Sequence, residues 1–160
     1  MSAPILNIPS STAPDARQWL YDQCTQYMTP DPDNPDADLL VTFDGPGPNL
    51  PNDIVSIGDV VRQFEPGSFV GGGGAQWLRE RYTITVTIDV FRGGDDANTV
   101  YRRAQLLADT VVAIVRNDLS MGGNVSIGKP LADSGAGEWD AEHMGRHWTS
   151  TVEISCLAQI

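Results

Sequence analysis

The stretch Glu80-Arg-Tyr-Thr-Ile-Thr-Val-Thr-Ile-Asp-Val-Phe91 decides the fold. Its even positions are Tyr82, Ile84, Val86, Ile88 and Val90, and its odd positions are Arg81, Thr83, Thr85, Thr87 and Asp89; only Phe91 breaks the rule. A period of two predicts a strand with one face on a core and the other face polar. At about 3.3 Å per residue the run spans roughly 35 Å, about twice the usual strand length. A second alternating run covers His147 to Leu157. Trp148, Val152, Ile154 and Cys156 occupy its apolar parity, and His147, Thr149, Thr151, Glu153 and Ser155 the polar one.

Between the two runs lies the strongest helical pattern in the chain. Gly93 and Gly94 turn the backbone, Asp95 or Asp96 caps, and the helix runs to about Leu119. Ala97, Val100, Tyr101, Ala104, Leu107, Ala108, Val111, Val112 and Val115 form its stripe. An earlier helix opens at Pro14 and runs to about Met28, with Ala16, Trp19, Leu20, Cys24, Tyr27 and Met28 on one side. Leu39 to Phe43 reads as a short strand. Ile54 to Phe64 reads as another, with Gly58 marking a bulge, and Asn124 to Ile127 as a brief one. Residues 1–13 form an extended arm, Thr29 to Asp38 a Pro- and Asp-rich linker, and residues 65–78 and 129–146 two long loops.

The expected fold is therefore α+β and single-domain over residues 1–160. It has one mixed, mainly antiparallel sheet of four or five strands, joined by hairpins and one helical crossover. Both helices carry a single apolar stripe, so both pack on one sheet face. The other face, with its threonines, Asp89 and Glu153, is left to solvent or another subunit.

Composition narrows function. A formal charge of −11, with one lysine among ten basic residues, argues against a phosphate-reading surface. No apolar run approaches the length needed to cross a bilayer, and the N-terminus lacks the pattern of a secretion signal. The 16 glycines and 11 prolines concentrate in the loops, so they mark long connections rather than general disorder. Cys24 and Cys156 each fall on an apolar stripe, as small buried hydrophobes. A disulfide requires the first helix to pack over the last strand.

Candidate chemistry is thin. His143 and His147, beside Asp140 and Glu142, have a four-residue spacing that converges on a metal only within a helix, and Gly145 lies between them. Gly71 to Gly74 leads into a strand without the lysine and helix of a phosphate loop. No Gly-x-Ser-x-Gly elbow exists, and the Asp31 to Asp38 run lacks the order of a calcium loop. No catalytic residue, cofactor or metal is expected, and the chain reads as a building block rather than an enzyme. Trp19 and Trp148 belong to core stripes. Phe69, Trp77, Trp139 and Met144 lie in or beside glycine-rich loops, where they are either tucked against the domain or buried at a partner surface.

Taken together, the Ala16–Met28 helix, Leu39-Leu-Val-Thr-Phe43, the Arg81–Phe91 strand, the helix opening Tyr101-Arg-Arg-Ala-Gln-Leu-Leu-Ala108 and the Trp148–Leu157 strand resemble the tail terminator (tail-completion) proteins of long-tailed bacteriophages. Neck and connector proteins share a similar small mixed-sheet fold. The resemblance implies a homohexameric ring in the virion tail or neck, formed in the host cytoplasm. Such a ring caps the major tail tube protein and docks onto the head–tail connector or stopper, and genomic DNA passes through it without specific binding. No membrane is involved. Phe69, Trp77, Trp139 and Met144 are then candidate interface residues, and Asp89 and Glu153 candidate channel-facing acids. A stopper protein and an acidic DNA-mimic inhibitor are the alternatives.

Overall fold

A computed structural model describes residues 10–48, 50–66 and 78–160. Two helices, α1 (Ala13–Tyr27) and α2 (Ala97–Asn117), accompany five strands: β1 (Leu39–Phe43), β2 (Asp53–Pro66), β3 (Leu78–Gly93), β4 (Ile127–Asp140) and β5 (Gly145–Gln159). The strands form one sheet in the order β1-β2-β3-β5-β4. β1 and β2 are parallel and every other pair is antiparallel. This is the α+β, single mixed-sheet fold expected from the sequence.

The alternation in β3 places Tyr82, Ile84, Val86, Ile88 and Val90 on the core face, all essentially buried. Val152, Ile154 and Cys156 of β5 extend that face. α2 covers β3, β5 and β4 with Val100, Ala104, Leu107, Ala108, Val111 and Val115, while α1 covers β1 and β2 with Ala16, Leu20 and Cys24. Burying each large aliphatic side chain contributes about 1.5–3 kcal/mol, so this single layer supplies most of the driving force. Trp19 and Trp148 pack at its margin. Cys24 and Cys156 are buried free thiols, both pushed up to about 12 by burial. Cys156 lies against the Met121 sulfur at 3.6 Å.

Local signals work as their chemistry requires. Asp96 caps α2, its carboxylate accepting from the Thr99 backbone N–H at 3.2 Å and from the Thr99 hydroxyl at 2.6 Å. Asp95 pairs with Arg146 instead. Gly58 sits where the β2–β3 register shifts between Ile57 and Val60, the bulge anticipated there.

Two expectations are corrected. The segment 129–146 is a hairpin and not a long loop: β4 pairs with β5 from Ile127 to Asp140, and the turn occupies residues 141–144. β4 lies at the sheet margin and is exposed along most of both faces, so no apolar alternation is required of it. Its glycines serve packing. A Cβ on Gly135 would stand 2.5 Å from the Trp148 indole nitrogen, and one on Gly137 would stand 2.8 Å from the same ring. The brief strand expected at Asn124 to Ile127 is a turn up to Ser126, with Met121, Gly122 and Gly123 at positive φ, and β4 begins at Ile127. The 65–78 loop is paired at its base, Pro66 opposite Leu78. Its interior, with Phe69, Gly71 to Gly74 and Trp77, lies outside the described residues, as does residues 1–9 of the expected arm.

Candidate functional site on the open sheet face

The helices cover the central part of one face of the sheet, over β3, β5 and the start of β2, and the polar parity of β3 and β5 lines the other. Thr83, Thr85, Thr87 and Asp89 of β3 stand beside Ser155, Glu153, Thr151 and Thr149 of β5 in four consecutive polar pairs. Asp89 and Glu153 share this face. Asp89 is level with Thr149 and Glu153 with Thr85, so the two acids stand about 13 Å apart along the strands and do not act as a pair.

The segment after β1 folds over this face near Asp89. It leaves a groove of about 450 Å³ lined by Asp44, Asp59, Thr85, Thr87 and Asp89, and an adjoining one of about 360 Å³ lined by Asp89, Phe91, Asp140, His143 and His147. Leu50, Ile54 and Asp89 border both. Carboxylates, hydroxyls and imidazoles share these walls with Leu50, Pro51, Ile54 and Phe91, and most of the exposed lining is apolar. Asp44 is held by Arg17 at 2.9 Å.

The β4–β5 turn closes one end of the second groove through a chain of imidazoles and carboxylates. Asp140 Oδ2 lies 2.8 Å from His143 Nδ1 and 3.0 Å from His147 Nε2, and His147 Nδ1 lies 3.2 Å from Asp89 Oδ1. Asp140 also accepts the backbone N–H groups of Glu142 and His143. The backbone hydrogen bond from His143, then its ring, hold the Asp140 carboxyl down to about 2. Asp140 in turn raises His143 by hydrogen bonding and charge. Both histidines do meet, through a hairpin rather than a helix. Among the described residues, no group of three or more His, Cys, Asp or Glu is placed to hold a metal ion.

Trp139 and Met144 are exposed, by 41% and 65%, and Trp139 does not lie on the open face. Trp139 is opposite Arg146 in the ladder, on the parity of Arg92 and the helices, and the Arg146 guanidinium lies 5.4 Å from its ring. Met144 sits in the turn at φ 53°. The structure therefore separates Trp139 from Asp89 and Glu153.

Two buried ionic clusters escaped the sequence reading. Asp53, at the start of β2, receives Arg92 at 2.6 and 3.1 Å and Arg103 Nε at 2.8 Å; Arg92 also reaches Asp31 at 2.9 Å. Burial opposes ionisation of Asp31, but the Arg92 and Asp33 hydrogen bonds and the two guanidinium charges hold its carboxyl below the usual range. Arg103 further donates to the Thr29 carbonyl at 2.7 Å, so the cluster ties the Pro-rich linker to β2, β3 and α2. Glu80, fully buried on β3, accepts from Ser11 Oγ, Thr12 N, Thr12 Oγ1 and Arg62 Nε at 2.6–3.1 Å. Burial opposes its charge, and these donors lower it nonetheless. Strand parity carried the signal: Glu80 and Arg92 occupy the same even positions as Tyr82 to Val90. Both clusters are closed within the domain and hold the fold rather than a reactant.

Among the described residues no helix is long and apolar enough to cross a membrane. Comparison with known proteins finds no matching family model and no matching curated protein.

Proposed function

We propose that the protein is a structural subunit of a long-tailed phage virion: a tail terminator that caps the tail tube as a homo-oligomeric, six-membered ring and joins it to the head connector. The observation carrying this reading is the division of the sheet into a helix-covered face and an open face of threonines and carboxylates with exposed margins. A surface of that size and polarity suits contact with neighbouring subunits and with a passing polyanion that must not adhere. Asp89 and Glu153, on one face and free of each other, are consistent with lining such a passage. The resemblance of the strand and helix pattern to the tail terminator proteins supports this reading, in which the protein is a non-enzymatic part.

The test is assembly. Purified protein mixed with tail tubes should form rings at one tube end, visible by electron microscopy, with light scattering giving a hexamer mass. Binding to the portal side of the head instead would favour the stopper reading. A persistent monomer that ignores both, but binds a basic host protein, would favour the DNA-mimic reading and overturn this one.

A further inference from the structure

We propose that copies of this chain join side by side through the two rims of the open face, the outer rim of β4 on one copy meeting the upper rim of β2 on the next. The proposal rests on the oligomeric reading above and names the surface through which the second copy binds.

β1 pairs with β2 only from Asp53 to Ile57. Beyond the bulge, Val60 to Pro66 pairs with β3 alone among the described residues, and β4 likewise pairs with β5 alone. Among the described residues the sheet thus offers one unpaired strand margin at each side. Their directions match: β2 and β5 run one way, β3 and β4 the other. Two copies in the same orientation about an axis along the strands bring β4 of one antiparallel to β2 of the other. That is a head-to-tail contact, which closes into a ring when the rotation permits.

The margins also match in height and chemistry. Val61, Thr83, Ser155 and Lys129 form one row across the sheet, and Gln63, Arg81, Leu157 and Ile127 the next. The β2 rim therefore presents Val61 level with Lys129, on the same face as Ile127 and Leu131. Val61 is 66% exposed, Ile127 43% and Leu131 56%. Acids bracket Val61 on the β2 rim, at Asp59 and Glu65. The chain's sole lysine, Lys129, stands between Ile127 and Leu131 on the β4 rim. On the β2 rim Asp59 and Glu65 flank the apolar centre, Glu65 lying 3.9 Å from Arg81 and the neighbouring Arg62 being taken up by buried Glu80. The β4 rim carries its lysine between two apolar side chains. In a chain of charge −11, that local complement opposes the general repulsion between copies.

The bulges set limits to the joint. β2 is interrupted at Gly58 and Asp59, and β4 at Leu131 beside Pro130, both level with Thr85 and Glu153. Edge bulges and proline stop unlimited sheet growth. Here they confine pairing to the short matched segments 60–63 and 127–130, which favours a defined register over aggregation.

Disulfide trapping tests this. Val61→Cys and Lys129→Cys replace exposed side chains that stand level across the joint, while the native Cys24 and Cys156 are buried. With one variant carrying a size tag, oxidation of the mixture should give predominantly the mixed dimer, and either variant alone little. The double variant should give a ladder ending at the ring mass. Lys129→Glu should weaken self-association by about tenfold or more. Dominant same-site dimers, assembled rings without a mixed cross-link, or no cross-link at millimolar protein would each overturn the joint. Rings that cap tubes without the cross-link defeat the joint alone. The cross-link in protein that ignores tubes supports the joint and defeats only the tail reading.

Discussion

Arg92 grips Asp53 with both terminal guanidinium nitrogens, at 2.6 and 3.1 Å, in the interior where β3 ends and β2 begins. Arg103 and Asp31 complete a neutral set of two cations and two anions. Breaking such a set strands an uncompensated buried charge. Asp53→Ala should therefore cost about 3–5 kcal/mol in urea unfolding, far more than removing an exposed acid such as Asp109. Replacing all four members, Asp31, Asp53, Arg92 and Arg103, together by apolar residues of similar volume should cost less than Asp53→Ala alone.

Glu80 draws the segment ahead of α1 onto the sheet. Glu80→Gln keeps the shape but cannot accept from all four donors, so stability should fall by about 1–3 kcal/mol. Hydrogen exchange at the Thr12 amide should accelerate, since that N–H donates to Glu80 at 2.6 Å.

Acid should weaken both clusters. The Glu80 and Asp31 carboxyls lie below their ordinary values of 4.5 and 3.8 in the folded chain. The stability they contribute is fully present above those values and is lost as pH falls through the lowered folded ones. Unfolding free energy measured from pH 6 to about pH 3 should fall, and the Glu80→Gln variant should show a shallower slope.

The turn at Asp140 responds with the opposite sign. His143 is raised above its ordinary 6.5, so its contribution is complete below that value and disappears as pH rises through the raised one. Proton NMR of the His143 imidazole resonances should show a titration above the ordinary value, and Asp140→Asn should return it towards 6.5.

Gly145 opens β5 opposite Gly93, and a Cβ there would stand 2.4 Å from both the Arg92 carbonyl oxygen and the Phe91 ring. A backbone oxygen does not yield as a flexible side chain does. Gly145→Ala should destabilise the chain by about 1–3 kcal/mol and loosen the hairpin, read as a lower thermal midpoint and faster exchange in β4.

Much of this molecule was written in its periodicities, and the exceptions are instructive. β3 and β5 were legible because one face of each is buried under helices, so every second residue from Tyr82 to Val90 and from Val152 to Cys156 is apolar. β4 was not, because nothing covers most of it; its glycines, which read as loop, make room for Trp148. Phe91 breaks the alternation because it lies on the open face, against the His147 ring at 4.8 Å. The polar acids of that face could be named from parity alone, whereas Trp139 could not be assigned to it or away from it until the hairpin was seen.

By itself, the sequence determined the two helices, the strands β3 and β5 with the apolar side of each, the bulge at Gly58 and the helical crossover after β3. These are properties of neighbours along the chain, governed by backbone period and turn chemistry. It did not show the long β4 or the parallel pairing of β1 with β2. Only the tertiary structure decided that Asp53 meets two arginines from distant elements, that His143 and His147 converge on one carboxylate, and that the two free margins stand at matching heights. Those depend on strand register and on which elements become adjacent, and free energy summed over the whole packed core sets both.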